Sequence, residues 1–278
     1  HTYNIDRMVA AVKKTLDYCS KNFSPYQHKQ VRIIEFPRYA SFAQSFPNTI
    51  PFSESIGFIL DIDPETNIDF ATYVTAHEVA HQWWAHQVIG ANVEGATITS
   101  ETMAQYSAIM VMEHEYGKGM IENFLKYELD SYLRGRARET KAENPLMYNQ
   151  NQPYIHYRKG SLAMYALKDY IGEDKLNAAL KSYVQKVAYQ EAPYTTSIEF
   201  VDYLRKATPD SLQYLIKDLF ETITLYGNET KKATYKANAN NTFTVSMDIA
   251  ADKFRSDSLG VETKVPFKDW IDVGVYAK

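Results

Sequence analysis

Thr75-Ala-His-Glu-Val-Ala-His-Gln-Trp-Trp84 is the stretch whose reading decides the fold. It contains His77-Glu78-Val79-Ala80-His81, two histidines four residues apart with a glutamate beside the first. On a helix, residues at that spacing sit one turn above each other on one face. The two imidazoles can then aim at one point, and neutral imidazole is a good ligand for a borderline divalent ion such as zinc. Glu78 lies about 100° round the helix from His77, so it can flank the ion without ligating it and act as general base. The residues around the motif are apolar or small: Ala71, Val74, Ala76, Val79, Ala80, Trp83, Trp84 and Val88. A helix apolar nearly all round is a buried one. Buried His and Glu side chains need partners, and a metal satisfies all three together.

Working outward, the 69–88 segment is expected to be one helix. Upstream, residues 4–21 read as an amphipathic helix with Asn4 or Asp6 as cap, and residues 31–36 as a strand closed by Pro37. Residues 38–55, broken by Pro47 and Pro51, read as an edge strand or a loop, residues 56–62 as a second strand, and Asp63-Pro64 as a turn. Downstream, Thr99 or Ser100 is expected to cap a helix running through Glu115, with Gly117 beyond its end. Helices follow at 119–138, 158–171, 173–189, 196–206 and 209–224. After residue 228 the pattern turns to alternation, with strands expected at 231–239, 242–250, 259–265 and 269–276. The fold class is α+β: residues 1–228 form a mainly helical catalytic domain with a small N-terminal sheet, and residues 229–278 a short β-rich segment.

A catalytic zinc needs three protein ligands and one open position. His86 is too close on the same helix and points elsewhere. Glu94 lies in a glycine-flanked loop that would hold a ligand poorly. Glu101, in the first turn of the next helix, is the strongest candidate, because a helix antiparallel to the first presents it beside both histidines. An acidic residue there is also simply a good helix starter.

The set His77-Glu78-x-x-His81, then Glu101 in Ser-Glu-Thr-Met-Ala-Gln-Tyr-Ser, resembles the gluzincin metallopeptidases. With Trp83 after the motif and Tyr157-Arg158-Lys159-Gly160 further on, it is similar to the catalytic domain of the aminopeptidase N family. These signals cover about residues 70–175. The resemblance implies a thermolysin-like catalytic domain, one zinc ion on His77, His81 and Glu101, a peptide substrate, and Tyr157 as donor to the developing oxyanion. Arg158 and Lys159 are read as solvated charges at a helix start, with no chemistry assigned. The chain differs from the family in two places. The 19 residues between His81 and Glu101 are one more than usual. And Ser41-Phe-Ala-Gln-Ser-Phe-Pro-Asn48 stands where Gly-x-Met-Glu-Asn, whose glutamate grips the substrate's α-amino group, is expected. The expected function is zinc-dependent peptide hydrolysis of aminopeptidase type. An endopeptidase, or a catalytically impaired peptidase-like scaffold module of a larger membrane-associated protein, stays open.

Composition sets the remaining bounds. With 45% hydrophobic and 23% charged residues among 278, the chain is of ordinary globular composition. A net charge of −4 offers no basic field for nucleic acid. Cys19 is the only cysteine, which excludes an intrachain disulfide, and it reads as a small core residue. No apolar run is long enough for a membrane span, and residues 1–16 lack the uninterrupted apolar core of a signal peptide. A start at His1 without Met reads as an excised piece of a longer protein, whose remaining domains are expected partners; compartment and oligomeric state stay open.

Overall fold

The computed structural model describes residues 1–62 and 68–275. Helix α1 (Ile5–Asn22) buries Met8, Ala11, Thr15, Tyr18 and Cys19. Cys19 is fully buried and its thiol is pushed up by that burial, as suits a core residue. Strand β1 (Arg32–Phe36) pairs in parallel with β2 (Thr49–Ser53), from Arg32 opposite Thr49 to Phe36 opposite Ser53. The edge strand expected within residues 38–55 is therefore β2, and its Pro51 is tolerated because a two-stranded sheet is all edge. Ile50 and Phe52 of β2 join Met8, Phe58, Ala71 and Val79 in an apolar cluster. That cluster seats the small sheet against the helix carrying the histidines.

The strand expected at 56–62 does not form. A 3-10 turn, Glu54–Ile56, leads into further turns in which Ile59 N donates to Glu54 O (3.0 Å) and Leu60 N to Gly57 O (3.3 Å). Asn4, instead of capping its own helix through its side chain, donates from Nδ2 to the Gly57 and Leu60 carbonyls (2.6 and 2.8 Å). With its backbone groups taken locally and by a side chain, the segment has no need of a ladder partner. The Asp63-Pro64 turn lies outside the described residues.

Helix α2 (Phe70–Ala80) ends earlier than expected. The fully buried Trp83 and Trp84 pull the chain out of helix. Trp83 Nε1 donates to Ser24 O (2.8 Å), Trp84 Nε1 to Ser107 Oγ (3.1 Å), and Ala85 takes φ 133°. Helix α3 (Glu101–Tyr116) runs through the centre of the core, buried continuously from Thr102 to Met112. Around it pack α4 (Lys118–Ala137), α5 (Gly160–Ile171), α6 (Glu173–Val187), α7 (Ser197–Ala207) and the short α8 (Gln213–Ile216). A π-helical stretch, Tyr154–Lys159, precedes α5. A second, Lys217–Glu221, ends the helical part.

The expected 209–224 helix thus stops early, and β3 (Ile223–Ala237) begins before residue 228. It forms an antiparallel meander with β4 (Phe243–Ser256) and β5 (Glu262–Val265). The strand expected from residue 269 is absent over 269–275. Its backbone is engaged instead by tyrosines: Tyr170 OH donates to Trp270 O (2.6 Å) and Trp270 N to Tyr214 Oη (3.2 Å). Lys253 Nζ, bound to Asp218 and Asp269 (2.8 Å each), ties the base of the meander to the helices. The α+β class, mainly helical with a small leading sheet and a trailing β-segment, is as expected. Among the described residues no helix is long and apolar enough to cross a membrane.

Asp69 fixes where α2 starts. Its Oδ1 accepts from Thr72 N (2.9 Å), and its Oδ2 accepts from Thr72 Oγ1 (2.7 Å), Arg7 of α1 and Tyr116 of α3 (2.5 Å). Burial alone would raise this carboxyl, but the Thr72 N–H, the two hydroxyls and the guanidinium reverse that and hold it below its ordinary value. The charge therefore stabilises the fold fully above about pH 4, where an unfolded aspartate is ionised, and less as pH falls through the lower folded value. Asp69→Asn is expected to cost about 1–3 kcal/mol at pH 7, as loss of charged hydrogen bonds does. In chemical denaturation the gap from the parent chain should narrow below about pH 4; a gap independent of pH would contradict this account.

Candidate active site

Helix α2 delivers His77, and His81 follows as its C-cap, still helical at φ −59°, with its N–H on the His77 carbonyl. The two rings stand edge to face at 4.6 Å. Their Nε2 atoms are 3.0 Å apart. Glu101, the first residue of α3, brings Oε2 to 3.3 Å from His77 Nε2 and 3.2 Å from His81 Nε2. His81 Nδ1 lies 2.8 Å from the Trp84 carbonyl. Since a carbonyl only accepts, Nδ1 carries the proton and the Nε2 lone pair is bare. The same turn that ends α2 early therefore sets the ring's tautomer.

Glu101 Oε2 is buried, and despite its closeness to both rings it accepts no hydrogen bond from the described residues. Stranding such a group costs about 1–3 kcal/mol or more. Two imidazole nitrogens and a carboxylate oxygen at these separations suit a borderline divalent ion and leave a tetrahedral ion one open position. Among the described residues one other metal-capable group exists, His1 with Glu35 and Glu54, and none of its members is buried. His86 and Glu94 stand apart: the His86 N–H binds the His81 carbonyl, and exposed Glu94 accepts from Gln150 (2.6 Å).

The field at the cluster is shaped by burial and by Glu101. Burial alone would raise the Glu101 carboxyl, but the two imidazoles hold it far below its ordinary range. Burial would lower His81, yet the neighbouring Glu101 charge raises it. Glu78 is raised, chiefly by burial. It is buried and makes no hydrogen bond to the described residues, so its carboxylate is uncommitted. Tyr157 sits in the π-helical stretch with its ring 5.9 Å from that of His77. Burial, then the Glu101 charge, pushes its phenol well above the ordinary value, so it remains a donor. The structure thus brings His77, Glu78, His81, Glu101 and Tyr157 to one place.

Arg158 and Lys159 are not solvated charges. Arg158 Nη1 donates to Glu128 Oε1 (2.6 Å), a carboxylate with no exposure at all. Lys159 is buried over the Tyr132 ring (5.7 Å) with no hydrogen bond at Nζ among the described residues, and burial lowers it to about 8. The glycine of Tyr-x-Lys-Gly has a steric reason: a Cβ on Gly160 would meet Thr102 Oγ1 at 2.5 Å. Sequence reasoning also missed Gln82. Its amide takes Asn48 N (2.9 Å) and donates to Ser45 Oγ (2.7 Å) and Phe46 O (2.9 Å). The segment 41–48, which carries no acidic residue, is therefore pinned one residue beyond His81. The position of Gln82 directly after the motif was the available signal.

Comparisons with known proteins bear on the family and the fold. The description Peptidase family M1 domain matches residues 7–221. "Probable aminopeptidase 1" of Sulfurisphaera tokodaii is 24% identical over 192 residues, 66% of this chain and 24% of that protein. Human "Endoplasmic reticulum aminopeptidase 2" is 26% identical over 190 residues, 64% of this chain and 19% of that protein. The match thus spans a quarter or less of these relatives. Among solved structures, an M1 zinc metallopeptidase from Deinococcus radiodurans shares the fold at TM-score 0.55 and 18% identity, over 77% of this chain and 44% of that one. Leukotriene A4 hydrolase from Saccharomyces cerevisiae does so at TM-score 0.60 and 14% identity, over 75% and 34%. The resemblance to the aminopeptidase N family is borne out: the chain belongs to peptidase family M1.

Proposed function

We propose that residues 1–228 are the catalytic domain of a zinc-dependent peptidase of aminopeptidase type, followed by a β-rich segment, 229–278. His77, His81 and Glu101 hold one zinc ion, Glu78 is the general base and Tyr157 the oxyanion donor. The observation that carries this reading is the buried, hydrogen-bond-free Glu101 Oε2 within 3.3 Å of both imidazole Nε2 atoms. When bound, zinc supplies Lewis acidity to water and to the substrate carbonyl.

The chain's own groups do the rest. The Trp84 carbonyl keeps the His81 proton on Nδ1, so Nε2 faces the site as a donor of electrons. Glu78, without a competing hydrogen bond, takes the proton of the attacking water and passes it to the leaving amine. Tyr157, kept protonated by its burial, donates to the carbonyl oxygen as negative charge builds there, which is where a fixed donor gains most. The Sulfurisphaera and human relatives are named aminopeptidases, which favours attack at the substrate's amino end. An endopeptidase is the second reading, favoured by the acid-free segment that Gln82 pins beside the site.

Two measurements check this. Glu78→Gln is expected to keep one zinc per chain while kcat falls at least about 10²-fold, the usual worth of a positioned base; turnover near that of the parent chain in zinc-loaded protein rules the mechanism out. On a panel of free and N-acetylated peptides, hydrolysis is expected for the free forms alone. Efficient cleavage of the blocked ones would replace the aminopeptidase reading with the endopeptidase one.

A further inference from the structure

Tyr157 is held from both sides. It lies in the six-residue π-helical stretch Tyr154–Lys159, a rare geometry that occurs frequently at functional sites. The residue before it is tied to α3: Thr102 Oγ1 donates to the His156 carbonyl (2.6 Å), and Thr102 directly follows Glu101. The residue after it is tied to α4, where Arg158 Nη1 donates to Glu128 Oε1 (2.6 Å). The other oxygen, Oε2, accepts a longer bond from Ser161 Oγ (3.4 Å), and the guanidinium lies 5.2 Å from the centre of the Tyr127 ring.

A fully buried carboxylate is a poor way to gain stability. Desolvation offsets most of what the ion pair returns, and an apolar pair of like volume often does as well. What the pair does supply is direction. A charged hydrogen bond 2.6 Å long, made to the residue adjoining Tyr157, fixes the backbone from which the phenol projects. No local sequence pattern marks Glu128, which is distant in sequence from Tyr157 and belongs to α4, a helix with no other residue at the site.

We infer that Glu128 is a positioning residue for Tyr157, acting through Arg158: it sets the direction in which the neighbouring phenol faces the His77–His81–Glu101 cluster. The inference rests on the proposed role of Tyr157 as oxyanion donor. It specifies a coupling that a merely structural carboxylate would not show.

A double-mutant cycle on the zinc-loaded chain tests it, with Glu128→Gln, Tyr157→Phe and the double variant compared for kcat, KM, zinc content and melting temperature. Glu128→Gln is expected to lower kcat about tenfold or more with KM within about twofold and zinc retained, and to change kcat less than about twofold in the Tyr157→Phe background. The same proportional loss in both backgrounds overturns the inference and leaves Glu128 a structural residue. If Glu128→Gln does not fold, Arg158→Lys, which keeps the charge but loses the fork geometry, takes its place in the cycle with the same two outcomes. A Tyr157→Phe chain as active as the parent would overturn the oxyanion assignment and this inference with it, whereas a large but measurable loss in Tyr157→Phe, with Glu128→Gln costing the same factor in both backgrounds, overturns the inference alone.

Discussion

Two imidazole nitrogens and a carboxylate oxygen, within 3.0–3.3 Å of one another and shielded from water, cannot all be satisfied by each other. His81 Nε2 presents a lone pair, and Glu101 Oε2 is left without a donor among the described residues. A cation between them resolves the conflict, and the rest of the fold serves to keep the conflict in place. Asp69 starts α2 and joins it to α1 and to Tyr116 at the end of α3, so the start of α2 is anchored to both helices. Trp83 and Trp84 end α2 at Ala80, with His81 as its cap, and the Trp84 carbonyl sets the tautomer of His81.

The same buried position governs the other two groups. Desolvation raises both Glu78 and Tyr157, but it suits them to opposite tasks. A carboxylate that holds no hydrogen bond is free to accept a proton, while a phenol that resists ionisation is free to donate a hydrogen bond. One is placed by α2 and the other by the π-helical stretch before α5, so the site is closed by elements far apart in sequence and packed on α3 between them.

Much of this was legible in the residues. The four-residue histidine spacing, the all-round apolar setting of α2 and the acidic start of α3 pointed to the cluster, and the Tyr-Arg-Lys-Gly run pointed to the fifth member only through the family it resembles. What was not legible was set by tertiary partners. The expected strand at 56–62 had the right composition, but Asn4 and local turns took its backbone groups. The helix expected to continue to residue 88 had the right period, but indole anchors outweighed it. Arg158 and Lys159 looked like surface charges because the groups that engage them, Glu128 and Tyr132, lie 30 and 27 residues away. Long-range pairing of that kind leaves no local pattern.

The most direct test of the account is the anomalous scattering of crystals grown with zinc, recorded on both sides of the zinc absorption edge. The account requires one strong peak bonded to His77 Nε2, His81 Nε2 and Glu101, at roughly 2.0–2.2 Å from each, with the fourth position free of protein. Absence of a peak there, or a fourth side chain closing the site, would contradict it.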